Sequence, residues 1–153
     1  MVEVLRGRGM TVAARDIQPV PGLDWFNVQD FLSAAYQPDT YTHVITNPPY
    51  SLAIEFVKRA LVVATDTVTM FLRLQFLEGG ERHWFFQDHP PTYVLIFSSR
   101  VTLWPVGHEE PEHSKRGGTV AYAWFIWDKS LMVPGRPPEI HWIAPLARSQ
   151  RMS

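Results

Sequence analysis

Val44-Ile45-Thr46-Asn47-Pro48-Pro49-Tyr50-Ser51 runs an apolar strand into two consecutive prolines and out into an amphipathic segment. His43–Thr46 has the β-branched, apolar character of a buried strand. Proline has no N–H for a sheet ladder, so the strand stops at Asn47. Ser51 is a residue type that caps helices. After it Leu52, Ile54, Phe56, Val57, Ala60 and Leu61 recur near helical spacing, with Glu55, Lys58 and Arg59 between them. A buried strand, a tight turn and a helix are the repeating unit of an α/β sheet, and such sheets bind ligands at the carboxyl ends of their strands. The turn is rich in acceptors. Its prolines fix the backbone and leave their carbonyls free, and the Asn47 side chain adds another oxygen. Two rigid acceptors side by side can hold an NH₂ group by both hydrogens, and Tyr50 offers a flat face to a planar ring.

The rest of the chain alternates in the same way. Residues 2–8 read as the tail of a helix capped by Gly9. Thr11–Ile17 reads as a strand ending at Asp16, before Pro19, Pro21 and Gly22 break the chain. Asp24–Leu32 is short and amphipathic. Val68–Leu74, Tyr93–Phe97 and Thr119–Trp127 read as strands, and Trp84-Phe85-Phe86 as a short helix or turn between the Gly79-Gly80 and Pro90-Pro91 breaks. Trp104–Gly118 is a charged loop, and residues 129–153, with Pro134, Pro137, Pro138 and Pro145, read as an irregular tail. The expectation is a single α/β domain over 1–153. Its sheet is mostly parallel, with an antiparallel pairing of the last two strands, which no helix separates.

Composition bounds the function. The chain has 153 residues, 46% hydrophobic and 19% charged, a composition that argues against disorder. A net charge of −1 excludes a strongly basic nucleic-acid coat, though not a local basic patch. Cysteine is absent, so disulfides and thiolate sites are excluded. There is no long apolar run and no signal-peptide pattern, and the chain reads as soluble and cytoplasmic. Nine Phe, six Trp and five Tyr demand a substantial core or a stacking site.

Asn47-Pro48-Pro49-Tyr50 after a strand resembles the motif of the amino-methyltransferases, which transfer a methyl group from S-adenosylmethionine to an exocyclic or amide nitrogen. The flanks are similar to the small phage and prophage enzymes specific for adenine N6 in DNA. Phe71–Gly79, Arg82–Phe86, Tyr93–Arg100 and Ala121–Asp128 look like their last three strand regions, and the likeness spans roughly residues 1–130. The resemblance implies a Rossmann-like fold. It implies that Asn47, Pro48, Pro49 and Tyr50 form the catalytic turn, accepting from the target amine and stacking on a base flipped from the duplex. It implies that Asp16 holds the cofactor ribose, that Ile17 packs on the cofactor adenine, and that Asp30 and Phe31 bind that adenine. Taken alone, each acid reads equally as an ordinary strand or helix terminus. DNA is the implied partner. RNA or a protein glutamine are alternative substrates of the same motif, and a non-catalytic remnant binding nucleic acid or a partner is a third reading.

One piece of that family's pattern is not present. A glycine-rich turn after a first strand should precede the helix at residues 2–8, and Gly7-Arg8-Gly9 lies on the wrong side of that helix. The expectation is therefore a domain truncated at its N-terminus, from an internal or misassigned start or a decayed gene, with weak cofactor binding and impaired transfer. In the family the first strand lies between the second and fourth, so its loss leaves two central edges. Direct pairing, a second copy in a homodimer, or upstream sequence would close them. Arg100, Lys115 and Arg116 are candidates for phosphate contact, Lys115 and Arg116 beside Gly117-Gly118 and offset by nearby acids. Trp104 and Arg82-His83-Trp84 read either as nucleic-acid contacts or as packing. His108-Glu109-Glu110-Pro111-Glu112-His113 lacks the spacing of a helical metal motif and is broken by Pro111, so no metal is expected.

Overall fold

The computed structural model describes residues 1–19, 26–33, 35–101, 103 and 120–145. The chain divides into two compact units, Met1–Gln37 and Pro38–Ser153.

In the first unit, α1 (Val2–Gly7) ends where expected, and Gly9 takes the left-handed φ of +82° that a glycine accepts without strain. β1 (Ala14–Asp16) and β2 (Phe26–Val28) form a two-stranded parallel sheet in the register Ala14↔Phe26 to Asp16↔Val28. The short amphipathic segment thus contributes a strand, because parallel pairing with β1 satisfies its backbone groups.

The second unit carries the core. Its elements are β3 (Tyr41–Thr46), α2 (Ala53–Val63), β4 (Ala64–Arg73), α3 (Gly80–Asp88), β5 (Tyr93–Phe97), β6 (Tyr122–Asp128) and β7 (Glu139–Ile143). The sheet order is β3-β4-β6-β5-β7. β3 and β4 pair in parallel, joined through α2. β6 is antiparallel to both β4 and β5, as expected for the pair of late strands. The outcome is an α/β fold with a mixed five-stranded sheet, in which β3, β4, β5 and β7 share one direction and β6 runs against them. β7 departs from the expected irregular tail and pairs in parallel with β5. Pro137 and Pro138 precede this strand without interrupting it, and it lies at the sheet edge, where proline is tolerated.

The strands alternate between two unlike faces. Val68, Met70 and Leu72 of β4, Ala123, Phe125 and Trp127 of β6, and Val94 of β5 are all at most 2% exposed and share one face by register. Phe76 lies edge-on to Phe125 and to Phe86 of α3, and Trp127 Nε1 donates to the His89 carbonyl at 3.0 Å, which fixes α3 against this face. Lys58 of α2 lies over Phe85 of α3, so the two helices are neighbours. Ala53, Val57, Ala60 and Val63 are the buried stripe of α2, at helical spacing. The opposite face carries Phe71, stacked on Tyr122 at 4.9 Å and edge-on to Trp124 and Phe97. Among the described residues, no helix is long and apolar enough to cross a membrane.

Candidate active site

Because β3 and β4 run in parallel, the segments following both strands leave the sheet at one end. Asn47-Pro48-Pro49-Tyr50 follows β3, and the 3₁₀ turn Leu74–Leu77 follows β4. β5 runs in the same direction, so Arg100 also leaves at that end, in an exposed position. Lys115, Arg116 and Trp104, and the acidic loop with His108 and His113, lie outside the described residues.

The turn after β3 has a definite hydrogen-bond economy. Pro48 is buried, while Asn47 is exposed. The helix does not start on a Ser51 cap. A 3₁₀ turn over Tyr50–Leu52 precedes α2, and Leu52 N donates to the Pro49 carbonyl at 3.0 Å. This corrects the expectation that both proline carbonyls are free: the Pro49 oxygen is consumed in starting the helix. Among the described residues, the Asn47 side chain and the Pro48 carbonyl have no hydrogen-bond partner. The acceptor pair left by the fold is therefore Asn47 Oδ1 and Pro48 O.

Tyr50 is not a bare ring. Arg82 Nη1 donates to its hydroxyl at 2.6 Å and to the carbonyls of Gln75 at 2.8 Å and Glu78 at 3.0 Å. The Arg82 guanidinium lies 4.6 Å from the Tyr50 ring centroid and that of Arg73 lies 5.6 Å away, both within cation–π range. Arg82 thus ties the start of α3 to the turn after β3. Gly79, which caps α3, makes the bend with φ of +110°. An open hollow of about 240 Å³ runs along Glu78–Arg82, and Asn47 does not line it. Sequence reading singled out Arg82 without a partner and gave Arg73 no role. Neither contact has a local signature, since Tyr50 and Arg82 stand 32 residues apart.

The first unit brings Asp16 and Asp30 to one end of its small parallel sheet, where Gln29 N donates to the Asp16 carbonyl at 2.8 Å. Each acid closes a local turn: Asp16 Oδ1 accepts from Gln18 N at 3.2 Å, and Asp30 Oδ1 from Leu32 N at 2.9 Å. The second oxygen of each carboxylate has no partner among the described residues. Ile17 is 66% exposed, and Phe31 packs beside Tyr36 at 5.5 Å. No group of three or more potential metal ligands occurs among the described residues. Compared with known proteins, the chain matches no family model, and no curated sequence is significantly similar to it.

Proposed function

We propose that the chain carries the amine-binding turn of a methyltransferase acting on the exocyclic amine of adenine in DNA. The observation that carries this reading is the pair of acceptors, Asn47 Oδ1 and Pro48 O, that follow the carboxyl end of β3 and have no partner among the described residues. Aromatic amines are weak nucleophiles, because the nitrogen lone pair is delocalised into the ring. Two acceptors on the amine hydrogens hold that nitrogen in place and offset the positive charge it gains as the new N–C bond forms while the donor's S–C bond breaks; the surplus amine proton then leaves to solvent. Tyr50, tied by Arg82, supplies an aromatic edge or face to the base.

S-adenosylmethionine, when bound, supplies an electrophilic methyl group on a sulfonium. The residues present fit its nucleoside end: Asp16 and Asp30 each keep a carboxylate oxygen able to accept from ribose hydroxyls or an adenine amine. Ile17, exposed beside Asp16, offers apolar surface to the adenine ring.

The test is transfer of a labelled methyl group to DNA, RNA and protein pools at high donor concentration. DNA is expected to take up label slowly. Asn47→Ala, at an exposed and unpartnered position, is expected to reduce labelling by about 10²-fold or more, the usual loss for one such stabilising group. The melting temperature should be unchanged. Absence of label from every pool, or labelling indifferent to Asn47→Ala, overturns the reading.

A further inference from the structure

Arg73 and Arg82 concentrate positive charge beside one tyrosine, and among the described residues no acid pairs with either. Among the described residues the ion pairs are Lys129–Asp39, Arg136–Glu139 and His141–Glu139, and neither arginine takes part. Glu78 and Glu81 are close in sequence and exposed, yet neither carboxylate pairs with them; Glu78 gives Arg82 only its backbone carbonyl. Arg73 closes β4 with an exposed guanidinium that makes no hydrogen bond among the described residues. Arg82 uses a single nitrogen, Nη1, for all three of its bonds, so Nη2 and Nε remain to donate.

Two guanidinium groups drawn to one ring repel each other, and the arrangement becomes favourable when an anion joins them. We propose that Arg73 and Arg82, converging on Tyr50 at the carboxyl end of β3 and β4, form a phosphate site that takes one phosphodiester of a nucleic-acid strand. The inference rests on the amine-binding reading of Asn47 and Pro48 for its choice of anion. A nucleotide carries a base and a phosphate within one residue, so a base at Asn47 brings its own or a neighbouring phosphate to the arginines. Arginine's planar fork suits the phosphate oxygens. The chain's net charge of −1 excludes generic binding by a basic coat, so any strong phosphate contact must be local. Arg82 has a second role as a positioning residue for Tyr50, while Arg73 is free to give its whole guanidinium to the strand.

The experiment is fluorescence anisotropy of a labelled, adenine-containing single-stranded oligonucleotide, titrated with the full chain across a salt series and without methyl donor. Each phosphate contact on a single strand contributes about 0.7 to the slope of log affinity against log salt. Arg73→Gln is expected to lower that slope by about this amount. Arg136→Gln, which removes the same charge elsewhere, should leave it unchanged. Arg82→Lys should keep the slope and weaken binding at every salt concentration. Equal slopes for wild type and Arg73→Gln overturn the proposal. So does failure of the wild type to bind, or displacement of the oligonucleotide by polyglutamate as effective as by unlabelled strand. The two readings fail separately. A slope lost in Arg73→Gln with no methyl transfer keeps the phosphate site and removes the methyltransferase. Methyl transfer abolished by Asn47→Ala with an unaltered Arg73→Gln slope does the reverse.

Discussion

The bond between Arg82 and Tyr50 is open to a double-mutant cycle, with Tyr50→Phe, Arg82→Gln and the two combined. Arg82 Nη1 serves the Tyr50 hydroxyl at 2.6 Å in a half-buried setting, and two backbone carbonyls in exposed ones. A hydrogen bond to a charged group contributes about 1.5–3 kcal/mol. Half-exposure and salt screening reduce the Tyr50 bond to about 1–2 kcal/mol. The two exposed carbonyls recover water when Arg82 is removed, so Arg82→Gln should cost about 2–3 kcal/mol in all. Tyr50→Phe removes the hydroxyl alone and keeps the ring beside both guanidinium groups, so its cost should be about 1–2 kcal/mol. The carbonyl bonds and the ring contact are common to both arms and cancel, leaving a coupling of about 1–2 kcal/mol for the hydroxyl. Urea unfolding followed by tryptophan fluorescence measures it, provided the dependence on denaturant is alike in all four proteins. Effects that add to within about 0.3 kcal/mol would refute the reasoning, and Tyr50 would then be held by its ring alone.

Phe76 is fully buried and edge-on to both Phe86 and Phe125, so Phe76→Ala should cost about 3–5 kcal/mol in the same urea assay. The two adjacent glycines before α3 should respond with opposite sign, although neither has an atom within 4 Å of the place a methyl would take. Gly79 sits at φ of +110°, where alanine is strained, so Gly79→Ala should destabilise by about 1 kcal/mol or more; Gly80 is helical, and Gly80→Ala should stabilise by about 0.4–1 kcal/mol. Thermal melts of the pair read out both signs, and equal effects would show that space, not backbone conformation, governs this bend.

What the sequence makes legible is what repeats or interrupts locally. The β3–turn–α2 unit follows from an apolar run, a double proline and a helical stripe. The antiparallel pairing of β5 and β6 follows from the lack of a helical pattern in the sequence that joins them. β2 has only three residues, too few to show a period, and exists because β1 lies beside it in parallel. β7 is hidden behind Pro137-Pro138, and its strand character comes from the ladder with β5. The same division runs through the candidate site. Asn47 and Pro48 announce themselves as a motif, whereas Arg73 and Arg82 reach Tyr50 only once β4 is laid against β3. No pattern along the chain contains that proximity.

The hydrogen-bond pattern also explains what a double proline does that a single one would not. Pro48 and Pro49 each contribute a carbonyl and no N–H, so the turn holds more acceptors than local donors can serve. The first donor beyond them to pair back on the turn, Leu52 N, goes to Pro49 and starts the helix. Nothing local remains for Asn47 and Pro48. Asn47 is exposed, so water satisfies its amide at little cost. The carbonyl of the buried Pro48 has no partner among the described residues, and an unpaired acceptor gains most from a donor brought by a ligand. A primary amine on a planar base brings two N–H groups, a match in number and chemistry that a hydroxyl, with one, does not make. In the proposed amine-binding role, the preference of the turn for such a group follows from its shortage of donors, and the proposed phosphate contact at Arg73 and Arg82 acts on what the amine is attached to.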